Sequence, residues 1–549
     1  MESIYFVGVD VGTGSARAAI VSSNGKLINM ATCPIKTFNP RPNFFEQSSD
    51  DIWSAVCNVV KTVTKDVSEE KIKGIGFDAT CSLVALDEHG RPVTVSPTGN
   101  DEQNVILWMD HRAEAESAFI NSTKDEMLRY VGGKISLEME TPKMLWMKKN
   151  MPTSWLRAKM LFDLPDFLTW RATRSQSRSL CSLVCKWNYK AGPDGNNGWN
   201  AEFFNKIGLS DLSEDNWRKI GTHVKPPGDP VALGLTAEAA NELGLSPKTP
   251  VGTSIIDAHA GGLGMIGCSV PGVPNNFSSR LSLICGTSTC HMAISDKEIT
   301  VDGVWGPYYS VMIPRFWLSE GGQSATGKLL DHIINSHPAT ASIMHQLTGL
   351  PHRHIQQYLS DLLISLAKKN SHQDVAFLTR NIHVWPDFHG NRSPLADVKL
   401  RGMISGLSLS SDQEDLAVLY LATIQALAYG TRHIIEALTL SGHNIETVLI
   451  CGGLSQNPLF VHTQADVVGL PVLIPHERES VLLGAAILGA CAAGVFPSVQ
   501  DAIREMGGTA NLIAPNALSK RYHQQKYEVF KKMVQDQKTY ASAMDHVLV

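Results

Sequence analysis

The feature that most constrains this chain is an apolar strand running into a turn of small residues. Ile4-Tyr5-Phe6-Val7-Gly8-Val9 is followed by Asp10-Val11-Gly12-Thr13-Gly14-Ser15-Ala16-Arg17. Ala16 to Val21 reads as a second strand, and Asn24-Gly25 is a hairpin signal before Leu27-Ile28-Asn29-Met30. The glycine turn therefore joins two antiparallel strands. A dinucleotide fingerprint is disfavoured, because Arg17 stands where its third glycine belongs and no helix follows. A different phosphate-binding turn survives. Small residues let backbone N–H groups reach phosphate oxygens, Thr13 and Ser15 add hydroxyl donors, and Arg17 adds positive charge. Asp10 offers an oxygen ligand for Mg²⁺, directly or through water. The plainer reading is a hairpin turn with its polar ends in solvent.

Similar strand ends recur. Ser282-Leu283-Ile284-Cys285 leads into Gly286-Thr287-Ser288, and Val448-Leu449-Ile450-Cys451 into Gly452-Gly453-Leu454. The two Gly-Thr pairs lie about half a chain apart, which suggests two similar α/β halves offering glycine turns to one cleft. Between the first strands and Lys73–Asp78, another strand, a helix is expected. Ser49-Asp50-Asp51 caps it, and Ile52, Val56, Val59, Val60, Val63 and Val67 share one face. With 549 residues, two large domains are expected. The glycine- and proline-rich stretch 261–274 marks a boundary between domains of residues 1–265 and 275–549. The polar stretch 174–200 reads as a loop-like insertion on the first.

The net charge of −5 gives no electrostatic footprint for nucleic acid. The apolar run Val481 to Phe496, closed by Pro497, is too short to span a membrane and reads as a buried helix. Met1-Glu2-Ser3 opens no secretory signal, so a cytoplasmic location is expected. Ten cysteines form no CxxC, with Cys181/Cys185 and Cys285/Cys290 the close pairs; reduced, apolar thiols are favoured over a metal site. Gly322-Gln323-Ser324-Ala325-Thr326-Gly327-Lys328-Leu329 imitates a P-loop, but Leu329 cannot ligate Mg²⁺ and no long apolar strand is expected to feed it. Asp257, in Ile255-Ile256-Asp257-Ala258-His259, is either a helix cap or a general base for phosphoryl transfer. Trp108, Asp110 and Arg112 alternate on one face of an extended segment, offering an aromatic wall, an acceptor and a donor fork. Lys186-Trp187 and Glu320 are further groups suited to a polyhydroxylated substrate.

Together these strings resemble the FGGY carbohydrate kinase family, within the superfamily of actin, hexokinase and Hsp70. Asp10–Arg17 looks like its first phosphate motif, Gly286-Thr287-Ser288 like the second, and Gly452-Gly453-Leu454-Ser455-Gln456-Asn457 like its adenosine motif. Gly390-Asn391-Arg392-Ser393-Pro394 and Lys143-Met144-Leu145-Trp146 resemble further family strings. The resemblance implies an α/β fold of two ribonuclease-H-like domains around a deep cleft. ATP would lie mainly on the C-terminal domain and sugar on the N-terminal one. Asp257 resembles the catalytic base, with Asp10 and Asp257 associated with Mg²⁺. Gly12, Thr13, Gly14, Ser15, Arg17, Gly286, Thr287, Gly327, Gly452, Gly453 and Asn457 border the nucleotide in this reading. Thr80, Cys81, Ser82, Trp108, Asp110, Lys186 and Glu320 border the sugar. Phe77-Asp78-Ala79-Thr80-Cys81-Ser82-Leu83-Val84 resembles the branch that phosphorylates D-ribulose.

The expected partners are thus a small sugar, ATP and Mg²⁺, with neither nucleic acid nor membrane; homo-oligomerisation stays open. The competing readings are a kinase for another ketose or polyol, such as sedoheptulose, ribitol or L-ribulose, and a non-catalytic sugar or nucleotide sensor of the actin superfamily.

Overall fold

The computed structural model describes residues 4–348 and 354–545. β1 (Tyr5–Val11) and β2 (Ser15–Ser22) form the expected hairpin, with Val11 opposite Ala16, and β3 (Leu27–Pro34) continues the meander. α1 (Ser49–Thr64) starts at Ser48, whose hydroxyl accepts from Asp51 N–H at 3.3 Å. It buries Ile52, Val56, Val59, Val60 and Val63, the face its spacing implies. β4 (Ile72–Ala79) runs parallel to β1 and sets Asp78 beside Asp10. α2 (Leu180–Lys186) is buried along its whole length. β5 (Ile255–Ile256) joins the far side of β4, completing a sheet of order β5-β4-β1-β2-β3, and α3 (Asp257–Met265) begins where β5 stops.

The second half repeats this plan. β6 (Arg280–Cys285) and β7 (Thr289–Ser295) form a hairpin whose Gly286 N–H donates to Ser288 O at 2.9 Å. In the first hairpin Gly12 N–H donates to Ser15 O at 3.0 Å. β8 (Trp305–Tyr309) and β9 (Trp317–Gln323) extend the antiparallel side, and α4 (Gly327–Ser336) follows. After the long α5 (Gln413–Leu440), β10 (Thr447–Cys451) pairs parallel with β6, as β4 does with β1. α6 (Pro458–Val468), β11 (Val472–Pro475), α7 (Ser480–Ala492) and β12 (Ala510–Ile513) complete a sheet of order β8-β9-β7-β6-β10-β11-β12. Two short matching residues in the sequence thus mark a genuine topological repeat.

The halves are joined by helices packed on glycines. α7, apolar on every side, leaves the C-terminal half and lies on β1, β4 and α3. A Cβ on Gly8 would stand 2.1 Å from Leu482 O, one on Gly76 2.0 Å from Ala485 O, and one on Gly264 1.9 Å from Ser480 O. Only bare backbone permits these approaches. One apolar core accordingly contains Phe6, Leu263, Met292 and Leu482, residues of both halves.

Three expectations change. In the stretch 174–200, Arg178–Ser179 pairs with Val224–Lys225, and α2 is a core helix; the exposed turn is confined to about Ala191–Gly198. Burial on all sides leaves α2 no polar face, and hence no helical signature in the sequence. Gly261 to Met265 belong to α3, so the connection between halves starts only after it. Finally, a buried strand, β9, does lead toward the P-loop-like string. Among the described residues no helix is long and apolar enough to cross a membrane.

Candidate active site

The C-terminal ends of β1, β4 and β5 lie side by side, so Asp10, Asp78 and Asp257 converge. Asp257 Oδ1 accepts its neighbour Ala258 N–H at 2.7 Å. Burial, then the charge of Asp10, pushes the Asp257 carboxyl up to about 7. Asp78 is fully buried with both oxygens lacking a hydrogen-bond partner. Burial, then the neighbouring Asp10 and Asp257, drives it well above the ordinary carboxylate range. Arg17 offsets part of this charge: its Nε donates to Asp10 Oδ2 at 2.7 Å and its Nη1 to Glu479 Oε2 at 2.8 Å. Orphaned oxygens amid surplus negative charge, all of them hard donors, fit a Mg²⁺ ion.

The glycine turns form the second group. Nothing lies within 4 Å of where a Cβ on Gly14 or Gly453 would stand, so both turns face open space, while Gly12 nears only Ser15 O at 3.8 Å. Gly327 N–H donates to Gly286 O at 3.1 Å, and Thr326 N–H to Thr287 O at 2.9 Å, fastening the head of α4 to the second hairpin. Gly452, with φ of 87°, places its missing Cβ 2.5 Å from Cys285 O. Asn457 caps α6, accepting from Phe460 N–H at 3.3 Å and donating to Tyr420 Oη at 2.7 Å. Gly286, Thr287, Gly327, Gly452 and Gly453 are thereby gathered at the ends of β6 and β10. Ser15 opens β2.

The third group centres on Glu320, in β9 at the edge of the first two. Its Oε1 faces Arg392, to which it is tightly paired, and Lys186 Nζ at 3.8 Å. Burial raises the carboxyl, but Lys186 and Arg392 outweigh it and bring Glu320 down to about 2. Burial lowers Lys186 while Glu320 raises it further, so it stays charged. Trp305 lies between the two cations, 4.4 Å from Lys186 Nζ and 4.0 Å from Arg392 Cζ, measured to its ring centroid. Lys186 also lies close enough to lower the Asp257 carboxyl, which links this group to the carboxylates. Thr80, Cys81 and Ser82 follow β4 and are buried; Ser82 N–H donates to Asp163 Oδ1 at 3.2 Å, and the Thr80 and Ser82 hydroxyls are 3.4 Å apart. Trp108 Nε1 donates to Thr13 Oγ1 at 3.0 Å, joining the aromatic wall to the first turn.

Asp110 differs from its expected part. Its carboxylate is fully buried and accepts from Arg112 N–H at 2.9 Å, Arg112 Nε at 2.9 Å, Arg112 Nη2 at 2.7 Å and Phe45 N–H at 2.7 Å. No lone pair remains for a sugar hydroxyl; Asp110 orients Arg112, which continues to Glu46 at 2.8 Å. Arg112 in turn stacks over Phe44 and Trp146 and offers no fork to the cleft. Conversely, Asp78, Trp305, Arg392 and Glu479 belong to the site without having been singled out. Asp78 had a signal, its place at a strand end, but its pairing with Asp10 depends on a register between distant strands.

Comparison with known proteins agrees with this arrangement. Residues 5–185 match the N-terminal domain, and residues 281–493 the C-terminal domain, of the FGGY family of carbohydrate kinases. The chain is 52% identical to a human FGGY carbohydrate kinase domain-containing protein, covering 98% of each chain. It is 41% identical to a D-ribulokinase of Saccharomyces cerevisiae, over 91% of this chain and 73% of that one. Among solved structures, a xylulose kinase from Rhodospirillum rubrum superposes with a TM-score of 0.77 at 19% identity, over 98% of this chain and 99% of that one. The two α/β halves are thus the paired domains of the actin-like sugar kinases. The chain belongs to the FGGY family of carbohydrate kinases and is an ATP-dependent sugar kinase.

Proposed function

We propose that this kinase phosphorylates a pentulose, D-ribulose at its terminal hydroxyl, with Asp257 as general base. The observation that carries the mechanism is the position of Asp257 at the strand ends. It sits beside Asp10 and Asp78, within electrostatic reach of Lys186, with a carboxyl poised at about 7. A base with that affinity takes a proton from an alcohol more readily than an ordinary carboxylate, and such help contributes about 10²–10⁴-fold. Asp257 accepts the hydroxyl proton as the sugar oxygen bonds to the γ-phosphorus and the bond to the departing ADP breaks. Asp10 and Asp257, with Asp78 beside them, would hold Mg²⁺, which would supply the positive charge that phosphoryl transfer requires.

The chain's own groups divide the remaining work. The open turns at Gly12–Ser15 and Gly286–Thr287 offer N–H and hydroxyl donors to phosphate oxygens. Gly327, Gly452, Gly453 and Asn457 border the nucleotide, and Arg17 holds Asp10 in place while limiting its repulsion of Asp257. Lys186, Glu320 and Trp108 hold the sugar with Thr80, Cys81 and Ser82, whose small side chains let a ketose approach the strand end; Arg392 fixes Glu320. D-ribulose is favoured by the Thr80–Val84 string and by the 41% identity to the yeast D-ribulokinase. A panel of D-ribulose, L-ribulose, xylulose, ribitol, sedoheptulose and glycerol, read as ADP release, tests this choice. The highest kcat/KM is expected for D-ribulose; a clear preference for a sugar other than a pentulose would refute the substrate and leave the kinase chemistry standing.

A further inference from the structure

Behind the sugar group lies a cluster for which the kinase reaction has no use. Cys181 and Cys185, one turn apart on α2, and His259 on α3 bring their ligand atoms within 4.8 Å of one another. All three residues are fully buried. Cys185 Sγ lies 3.6 Å from His259 Nε2, and Glu320 Oε2 lies 3.6 Å from the same nitrogen. Glu320 divides its oxygens: Oε1 serves Lys186 and Arg392, while Oε2 is buried without a hydrogen-bond partner.

We propose that Cys181 Sγ, Cys185 Sγ and His259 Nε2 hold a Zn²⁺ ion. A Zn–S bond of 2.3 Å and a Zn–N bond of 2.0–2.1 Å at tetrahedral angles separate sulfur and nitrogen by about 3.6 Å. The spacing of 3.6 Å between Cys185 and His259 matches this. A thiol–imidazole hydrogen bond would account for Cys185 alone and would leave Cys181 without a part. Two thiolates and an imidazole select zinc over Mg²⁺, and a water would complete the tetrahedron. Binding releases both thiol protons. The ion ties α2 to α3, the two helices that carry Lys186 and Asp257.

The test is the metal content of the full chain, prepared without a histidine tag from zinc-replete medium. About one zinc per chain is expected, lost on Cys181→Ala or Cys185→Ala and kept on Asp10→Asn. Because a cysteine variant can fail to fold, the wild-type protein is also stripped and titrated with Co²⁺. A thiolate-to-cobalt charge-transfer band is expected, with a rise in Tm on metal addition. Wild-type protein with well under one zinc and no such band would overturn the proposal. So would folded cysteine variants that keep a full equivalent. Neither result bears on the sugar panel, so this proposal and the substrate reading fail separately.

Discussion

At the scale of single residues, the site is a balance of buried charges. Asp257 has its folded value near 7 against an ordinary 3.8. The native state therefore holds this proton more tightly than the unfolded chain does. That stabilisation is present below about pH 4 and lost as pH rises through 7, at a cost of roughly 4 kcal/mol. Metal-free protein should lose Tm from pH 5 to pH 8, and Asp257→Asn should lose less. Glu140 and Asp166, each pushed by burial up to about 8, keep part of the slope in both proteins. A variant as steep as the wild type would contradict this balance. Glu320 is the opposite case, a carboxylate two cations hold ionised. Glu320→Gln leaves Lys186 and Arg392 buried without their anion; a loss of about 3–5 kcal/mol in chemical denaturation is expected, with a raised KM for sugar. An unchanged midpoint would count against the pairing. Asp10, Asp257, Lys186 and Glu320 could be picked out of the sequence by their local strings, and the structure brings them within electrostatic reach of one another. Asp110 misled for a local reason: Arg112, two residues on, consumes its lone pairs.

At the scale of elements, legibility followed the surfaces an element exposes. α1 shows one apolar face to the core and one polar face to solvent, so its spacing revealed it. α2 and α7 are buried all round; the second was still legible as an unbroken apolar run, the first too short to be. What no single stretch could disclose is that α7 lies on β1 and β4, since the matching signal is glycines at 8 and 76, far away in the chain. Gly76→Ala puts a methyl 2.0 Å from Ala485 O, against backbone that cannot rotate away. A loss of about 1–3 kcal/mol or more is expected in denaturant titration. A neutral substitution would mean that the helix and sheet are not so closely seated.

At the scale of the whole molecule, the sequence indicated two similar halves, and the topology bears that out: each has a glycine-turn hairpin with a parallel strand beside it. The sequence suggested two large domains meeting at one cleft; in the structure α3 and α7 interlock and one core draws on both halves. Arg17 repeats that link in polar form, joining Asp10 of the first half to Glu479 at the head of α7. Calorimetry should therefore give one dominant unfolding transition, not two independent domain transitions. Two well-resolved transitions would show that the halves fold apart.

The central claim is that the Asp257 carboxylate takes the proton from the sugar hydroxyl. Its most direct test is the kcat of Asp257→Asn with D-ribulose, ATP and Mg²⁺, in protein whose circular dichroism matches the wild type. The account predicts a fall of about 10²-fold or more, while ATP still raises the Tm. A kcat within about threefold of the wild type would contradict it.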